Sequence, residues 1–391
     1  MRSLRSNIWK LYAIKGLRSC MFEMPIIVLF FRENGLSMQD VFVLQALFSL
    51  VTIVLDVPTG HFSDMFSRKV SIVIGGGVSA FGFAVYFVSS GFWEFLIAET
   101  MLGVGMSFVS GADSAMLYDT LLVLNREGEY RRREGANSST GLLLESVASI
   151  IGGFLAVASL RLPILCDVLV SICIIPVALI LVEPPLHREI SQKSSLVIMW
   201  ATVRYALYAH AEIKWLILYS SIVSTSTLTM VWFIQPYLVV TGVPIEWFGI
   251  VWSVLMGVAA FFSWYAHFVE RVIGRKRSLI LLVALPVFGY GLIASVWHVW
   301  SAIFLVCFYI TRGILNPVLL DYINGLISSD VRATILSVKN LVGRCVFVIV
   351  GPLAGWASDA YSLQLALLLS GIIFLFFGGV ILLAMWKKKI L

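Results

Sequence analysis

The chain is poor in charge for its length. Only 13% of its 391 residues are Asp, Glu, Lys or Arg, against 60% hydrophobic. That little charge cannot keep a globule of this size in water, so a soluble enzyme or binding domain is excluded. Histidine is scarce too, and His61, His187, His210, His267 and His298 stand singly, with no metal-binding spacing. Cys20, Cys166, Cys173, Cys307 and Cys345 all fall inside apolar runs without paired spacing. They read as buried reduced thiols rather than a disulfide framework. A nucleotide loop is also missing. The glycine run Gly75, Gly76 and Gly77 is followed by no Lys-Ser or Lys-Thr pair, so it reads as helix packing and ATP-driven pumping is set aside. No cofactor and no catalytic residue is expected.

What the chain does have is long apolar runs, with a mean hydropathy of +0.95. Each membrane crossing takes about 20 apolar residues. We place twelve crossings near 8–31, 38–60, 70–90, 93–121, 137–159, 163–183, 213–241, 246–269, 278–296, 298–326, 334–357 and 362–386. The expected fold is therefore an all-α membrane protein with 12 transmembrane helices. Arg2, Arg5 and Lys10 ahead of an apolar run imitate a signal peptide. That run contains Lys15, Arg18 and Glu23 and lacks a small-residue cleavage site, so it is read as the first span.

Charge then orients the chain. With the N-terminus inside, the inner loops and tails collect nearly every basic residue, among them Arg68, Lys69, Arg126, Arg131 to Arg133, Arg188, Arg275 to Arg277 and Lys387 to Lys389, while the outer loops keep only Arg32 and Arg161. The positive-inside rule then puts both termini in the cytoplasm. The net charge of +6 accordingly reports topology and contact with anionic lipid, not nucleic acid. The run Arg131 to Arg133 is read as a short basic loop between membrane helices.

Between the second and third runs the chain reads DVPTGHFSDMFSRK, with Gly60, Asp64, Arg68 and Lys69 in the spacing G-x-x-x-D-x-x-x-R-K. After the eighth run, His267, Phe268, Val269 and Glu270 echo His61, Phe62, Ser63 and Asp64, followed by Gly274 and Arg275. This pattern resembles the cytoplasmic loop motif of major facilitator superfamily transporters. The resemblance implies two pseudo-symmetric six-helix bundles, at 1–183 and 213–391, joined by a cytoplasmic linker at 184–212. Within the linker, Ser194 to Ala209 mixes Leu196, Val197 and Trp200 with Arg204, as an interfacial amphipathic helix would. The pattern departs at Ser67, where the superfamily has Gly. By resemblance Gly60, Asp64, Arg68, Lys69, Glu270 and Arg275 form the gating network, with anchoring at the headgroups as the alternative.

Other superfamily elements are displaced. Glu99 stands four residues before Gly103, in the place where many drug antiporters carry Arg, and Gly351-Pro352-x-x-Gly355 lies in the eleventh span instead of the fifth, where Gly152 and Gly153 stand without a proline. Ionisable residues inside the spans carry the mechanism, because a charge at mid-membrane costs about 2.5 to 3.5 kcal/mol and faces a cavity or a partner. Arg18, Glu23, Asp113, Trp232, Arg312, Asn316 and Arg344 are the substrate-binding candidates. Asp113, Glu145 and Glu99 are the proton-coupling candidates, Glu99 being open to a second reading as an interfacial anchor. Lys15 and Asp119 are read as snorkelling or functional, and Asp321 and Lys339 as an ion pair flanking a loop. Trp232, Phe233 and Tyr237 could clamp an apolar part of the solute or serve packing.

A cavity of both signs suits a charged or zwitterionic organic solute. The expected activity is secondary, proton-coupled transport by alternating access, with export preferred, by a monomer in an inner membrane. Import of an organic acid or amino acid is the alternative, and a membrane receptor or scaffold is the other class.

Overall fold

The computed structural model describes residues 2–185, 211–327 and 329–388. The linker helix expected at Ser194 to Ala209 lies outside the described residues. Among the described residues there is no strand, and eleven helices are long and apolar enough to cross a membrane. They span Met38–Met65, Arg68–Val88, Phe92–Val123, Glu127–Ala158, Arg161–Leu179, Ala211–Val240, Ile245–Trp264, Arg275–Ser295, Val299–Asn324, Ile335–Ala360 and Leu363–Lys387. We number them spans two to twelve.

The first span is present in two pieces, α1 (Arg2–Ser19) and α2 (Ile27–Glu33), where a continuous helix was expected. The cause is local. Pro25 has no N–H to donate, and its ring pushes the preceding residue out of helical conformation. The helical ladder stops where the Cys20 N–H donates to the Gly16 carbonyl at 3.0 Å, and it resumes only with the Ile26 N–H on Glu23 O at 2.8 Å. Irregular backbone at membrane depth survives only where the protein supplies the missing partners. Here the Asp167 carboxylate of span six supplies them, accepting from the N–H of Phe22 at 3.0 Å and of Glu23 at 3.1 Å. The break also needs room. A Cβ on Gly152 of span five would sit 2.0 Å from the Phe22 carbonyl oxygen, so that face of span five must be bare.

Span four is divided at Gly111 into helices Phe92–Val109 and Ala112–Val123. Gly111 has φ +81°, a conformation that favours glycine. The bend places Asp113 in the first turn of the second helix, about two thirds of the way along the span. The basic run Arg131 to Arg133, expected as a loop, is the first turn of the helix Tyr130–Ala158.

The chain forms two compact units, each built around its own apolar core. The first holds the N-terminal half without Leu36–Ala46 but with Ile245–Ser253, and the second holds the C-terminal half with the opposite exchange. In the first unit, Leu11, Ile14, Ile72, Met116, Leu117 and Ile174 pack together. The borrowed segment lies against span five, where Ser253 Oγ donates to the Ser146 carbonyl at 2.7 Å. In the second unit, Leu216, Tyr219, Leu282, Leu315, Leu319 and Ile335 form the core. Its borrowed segment starts span two, and the Met38 and Gln39 N–H groups donate to the two Asp359 oxygens at 3.0 and 2.6 Å. Gly355 lies one turn before Asp359, and a Cβ there would meet the Met38 carbonyl at 2.7 Å, so the Gly-Pro-x-x-Gly element of this chain serves close packing.

Candidate functional site

The loop motif is built on the start of span three. Ser67 is the N-cap of Arg68–Val88, its hydroxyl accepting from the Val70 N–H at 3.1 Å. The same hydroxyl donates to Glu183 at 2.9 Å, and the Arg68 and Lys69 N–H groups donate to that carboxylate at 3.0 and 3.1 Å. Serine at the glycine position is thus a functional cap for a helix start that is also held by an anion. Arg68 pairs with Asp119 at the end of span four, both nearly buried, and more distantly with the exposed Asp64 at 3.5 Å. Asp119 is thereby a network member and not a snorkelling residue. Gly60 has open space around it, so nothing in its packing calls for a glycine.

The second copy uses different chemistry at the same positions. Gly274 caps Arg275–Ser295 with φ +80°, ψ 158°, a region open essentially to glycine alone. Glu270 accepts from the Tyr322 hydroxyl at 2.9 Å, and the Arg275 guanidinium lies over the Tyr322 ring at 4.5 Å. Arg275 also donates to Glu212 at 2.9 Å. Tyr322 therefore stands where Asp119 stands in the first copy, each at the end of the span that follows two helices later.

Deeper in the first unit, Arg18 Nη1 lies 3.7 Å from Asp113 Oδ2. That is an ion pair but too long for a hydrogen bond, and Nη1 is a buried donor without an acceptor. Glu23 sits in the break of span one, buried, with its carboxyl in hydrogen-bond contact with that of Asp167. Glu99 is buried and bonded to the Tyr86 hydroxyl, so the anchor reading of Glu99 gives way to a core position. Glu145 lies half-buried in the middle of span five. Asp167 was not singled out from the sequence, although it is the only acid in span six and that isolation was the signal available.

In the second unit Lys339 is 8% exposed, and its ammonium donates to Asn316 Oδ1 at 3.0 Å. The expected Asp321–Lys339 pair is not formed. Lys339 is ten residues into its helix, about 15 Å from the start, whereas Asp321 lies in the last turn of span ten. In an antiparallel pair that depth matches Asn316 instead. Arg312, one turn before Asn316, is half-buried over the Tyr309 ring at 5.7 Å, and Arg344 is half-buried in span eleven. Among the described residues neither Arg312 nor Lys339 has a carboxylate partner. On span seven, Thr229 Oγ1 and Trp232 Nε1 are buried without a partner. Phe233 and Tyr237 do not join an aromatic clamp: Phe233 packs edge-on to Phe42, and the Tyr237 hydroxyl bonds Ser301 and the Val296 carbonyl.

Residues 19–352 match the family model of the Major Facilitator Superfamily. The chain belongs to that superfamily. The fold agrees with solved superfamily-type transporters. The nucleoside transporter NupG superposes with a TM-score of 0.80 at 12% identity, over 97% of this chain and 99% of that one. A bacterial homologue of the human lysosomal transporter Spinster gives 0.76 at 16%, over 98% and 97%. A POT family transporter in complex with 5-aminolevulinic acid gives 0.70 at 11%, over 99% and 95%. Identities this low speak for the fold alone. A search of curated protein sequences returned no significant match. The superfamily fold is that of membrane transporters, and the paired loop networks and the deep charges lie within it.

Proposed function

We propose that this chain is a proton-coupled secondary transporter of a small organic solute bearing a carboxylate or similar anion, working by alternating access. The observation that carries the solute class is Lys339. A buried ammonium with one amide oxygen for company is costly to hold charged, and an anion beside it supplies the missing partner. Arg312 on the neighbouring turn adds a planar fork suited to a carboxylate. Trp232 Nε1 and Thr229 Oγ1 add donors for the rest of the solute. Asn316 and Arg344 complete the proposed binding set of the second unit, and in the first unit Arg18, whose Nη1 is a buried donor without an acceptor, Asp113 and Glu23 are proposed as substrate-binding residues as well.

The acids of the N-terminal half, with Asp113, Glu145 and Glu99 among them, are proposed to carry the proton. The loop networks around Gly60, Asp64, Arg68 and Lys69, and around Glu270 and Arg275, are proposed to gate the carrier. The basic loops support an inner-membrane protein with both termini in the cytoplasm. We propose a monomer, joined through the 184–212 linker, that exports its solute. A zwitterion of the kind named for the POT structure meets the requirement of Lys339, whereas an uncharged nucleoside, the solute class named for NupG, does not.

Liposomes holding a pH-sensitive dye and purified protein test this reading under an imposed proton gradient. Amino acids, organic acids and metal chelators are expected to trigger proton flux, in the direction that marks export, and Lys339→Gln to silence it. Flux triggered by cationic drugs or nucleosides but not by acids overturns the solute class. Solute exchange without proton flux overturns the coupling.

A further inference from the structure

We propose that Glu23 and Asp167 share a single proton at the break of the first span, and that this pair carries the proton of the transport cycle. The proposal rests on the proton-coupled reading above and narrows it to two residues.

The geometry assigns the members different states. Both Asp167 oxygens are engaged, Oδ1 by the Phe22 N–H and Oδ2 by the Glu23 N–H, so Asp167 is held as the anion that caps the break. Glu23 is 7% exposed, its carboxyl touches that of Asp167, and its Oε2 has no donor. Two carboxyls in hydrogen-bond contact need a proton between them, because two anions at that distance cannot both stay ionised. The proton therefore sits on Glu23 and is donated to Asp167.

The surroundings oppose a second charge. Among the described residues neither carboxyl has a Lys or Arg partner. Span three presents Tyr86, which is bonded to Glu99 of span four and faces Glu23. Span five meets the break with Gly152, which has no side chain. The nearest cation along the first span, Arg18, is already paired with Asp113 of span four.

Transfer of the Glu23 proton to water leaves two carboxylates in contact. The bond broken is Glu23 O–H, and the products are the Glu23 carboxylate and hydronium. Repulsion then drives Glu23 from Asp167, and the Phe22–Glu23 backbone moves with it, since its N–H groups are what hold Asp167. Met21 to Pro25 lie outside the helical ladder, so the break is the joint in the first span able to yield. Re-protonation from water on the other side restores the cap.

The test is infrared spectroscopy of the full chain in nanodiscs, titrated between acid and alkaline pH without solute, alongside the dye-filled liposomes. The wild type is expected to show a protonated-carboxyl band that titrates. Glu23→Gln is expected to remove that band and abolish uphill accumulation, and Glu99→Gln to leave the band in place. Asp167→Asn is expected to remove it as well. Should that variant fail to fold, the nearly isosteric Glu23→Gln still decides the matter. A band unchanged in Glu23→Gln, with proton flux in the wild type, overturns the pair and leaves the transport reading standing. A band lost in Glu23→Gln, with no proton flux from the wild type for any solute, overturns the coupling and leaves the shared proton standing.

Discussion

The N-terminal half buries acids deep in its spans, with Glu23, Glu99, Asp113 and Asp167 all nearly inaccessible. In the C-terminal half every acid of a helix, Glu212, Glu246, Glu270, Asp321, Asp330 and Asp359, falls in its first or last turn, and the deep charges are Arg312, Lys339 and Arg344. The two loop networks differ as well, for Arg68 meets the carboxylate of Asp119 where Arg275 meets the ring of Tyr322 and takes its carboxylate from Glu212 instead. The two halves thus carry different charge arrangements. Acids can hold or release a proton, and Arg312 and Lys339, which have no carboxylate partner among the described residues, can hold an anion, so the two proposed tasks are separable by mutation.

Asp119→Asn should have the largest effect. It leaves Arg68 buried without its main anion, a loss of about 3 to 5 kcal/mol for a broken buried pair. A steep fall in thermal stability and turnover is expected, well beyond that of Asp64→Asn, whose carboxylate is exposed and 3.5 Å away. Equal effects of the two variants would remove Asp119 from the centre of the network. Lys339→Gln comes next. Truncating one partner of a buried charge pair costs about 2 to 5 kcal/mol, roughly 30- to 5,000-fold in solute affinity by calorimetry. The titrating infrared band of the N-terminal half should be untouched, and a shift in that band would break the separation of tasks.

The two helix caps give the smaller effects. Gly274→Ser forces a side chain into a glycine-only conformation and should cost about 1 to 3 kcal/mol in unfolding experiments. Ser67→Gly at the matching position should cost only a few tenths of a kcal/mol as a cap, plus its bond to Glu183. A larger loss at Ser67 than at Gly274 would reverse the assignment of the two turns.

Most of the architecture was legible because lipid imposes long apolar runs and the loop motif is written in consecutive residues. The positions of Arg18 and Asp113 were legible as deep charges, but their pairing was not, since it joins spans one and four. Asp167 escaped because its significance depends on a break it caps from span six. The break itself was readable in Pro25, whose missing N–H ends a helix wherever it falls. Lys339 was assigned to Asp321 by nearness in sequence. Depth along antiparallel helices gave it to Asn316 instead.

The capped break also bears on how the chain is made. The first span leaves the ribosome well before the sixth, since Asp167 follows Glu23 by 144 residues. At about 5 to 20 residues per second the cap arrives roughly 7 to 30 s later. Until then the bare N–H groups of Phe22 and Glu23 have no acceptor in hydrocarbon. The nascent first span must therefore be sheltered by the insertion machinery or by water at the headgroups, and its settling in the bilayer is a late event of synthesis, completed when the sixth span docks.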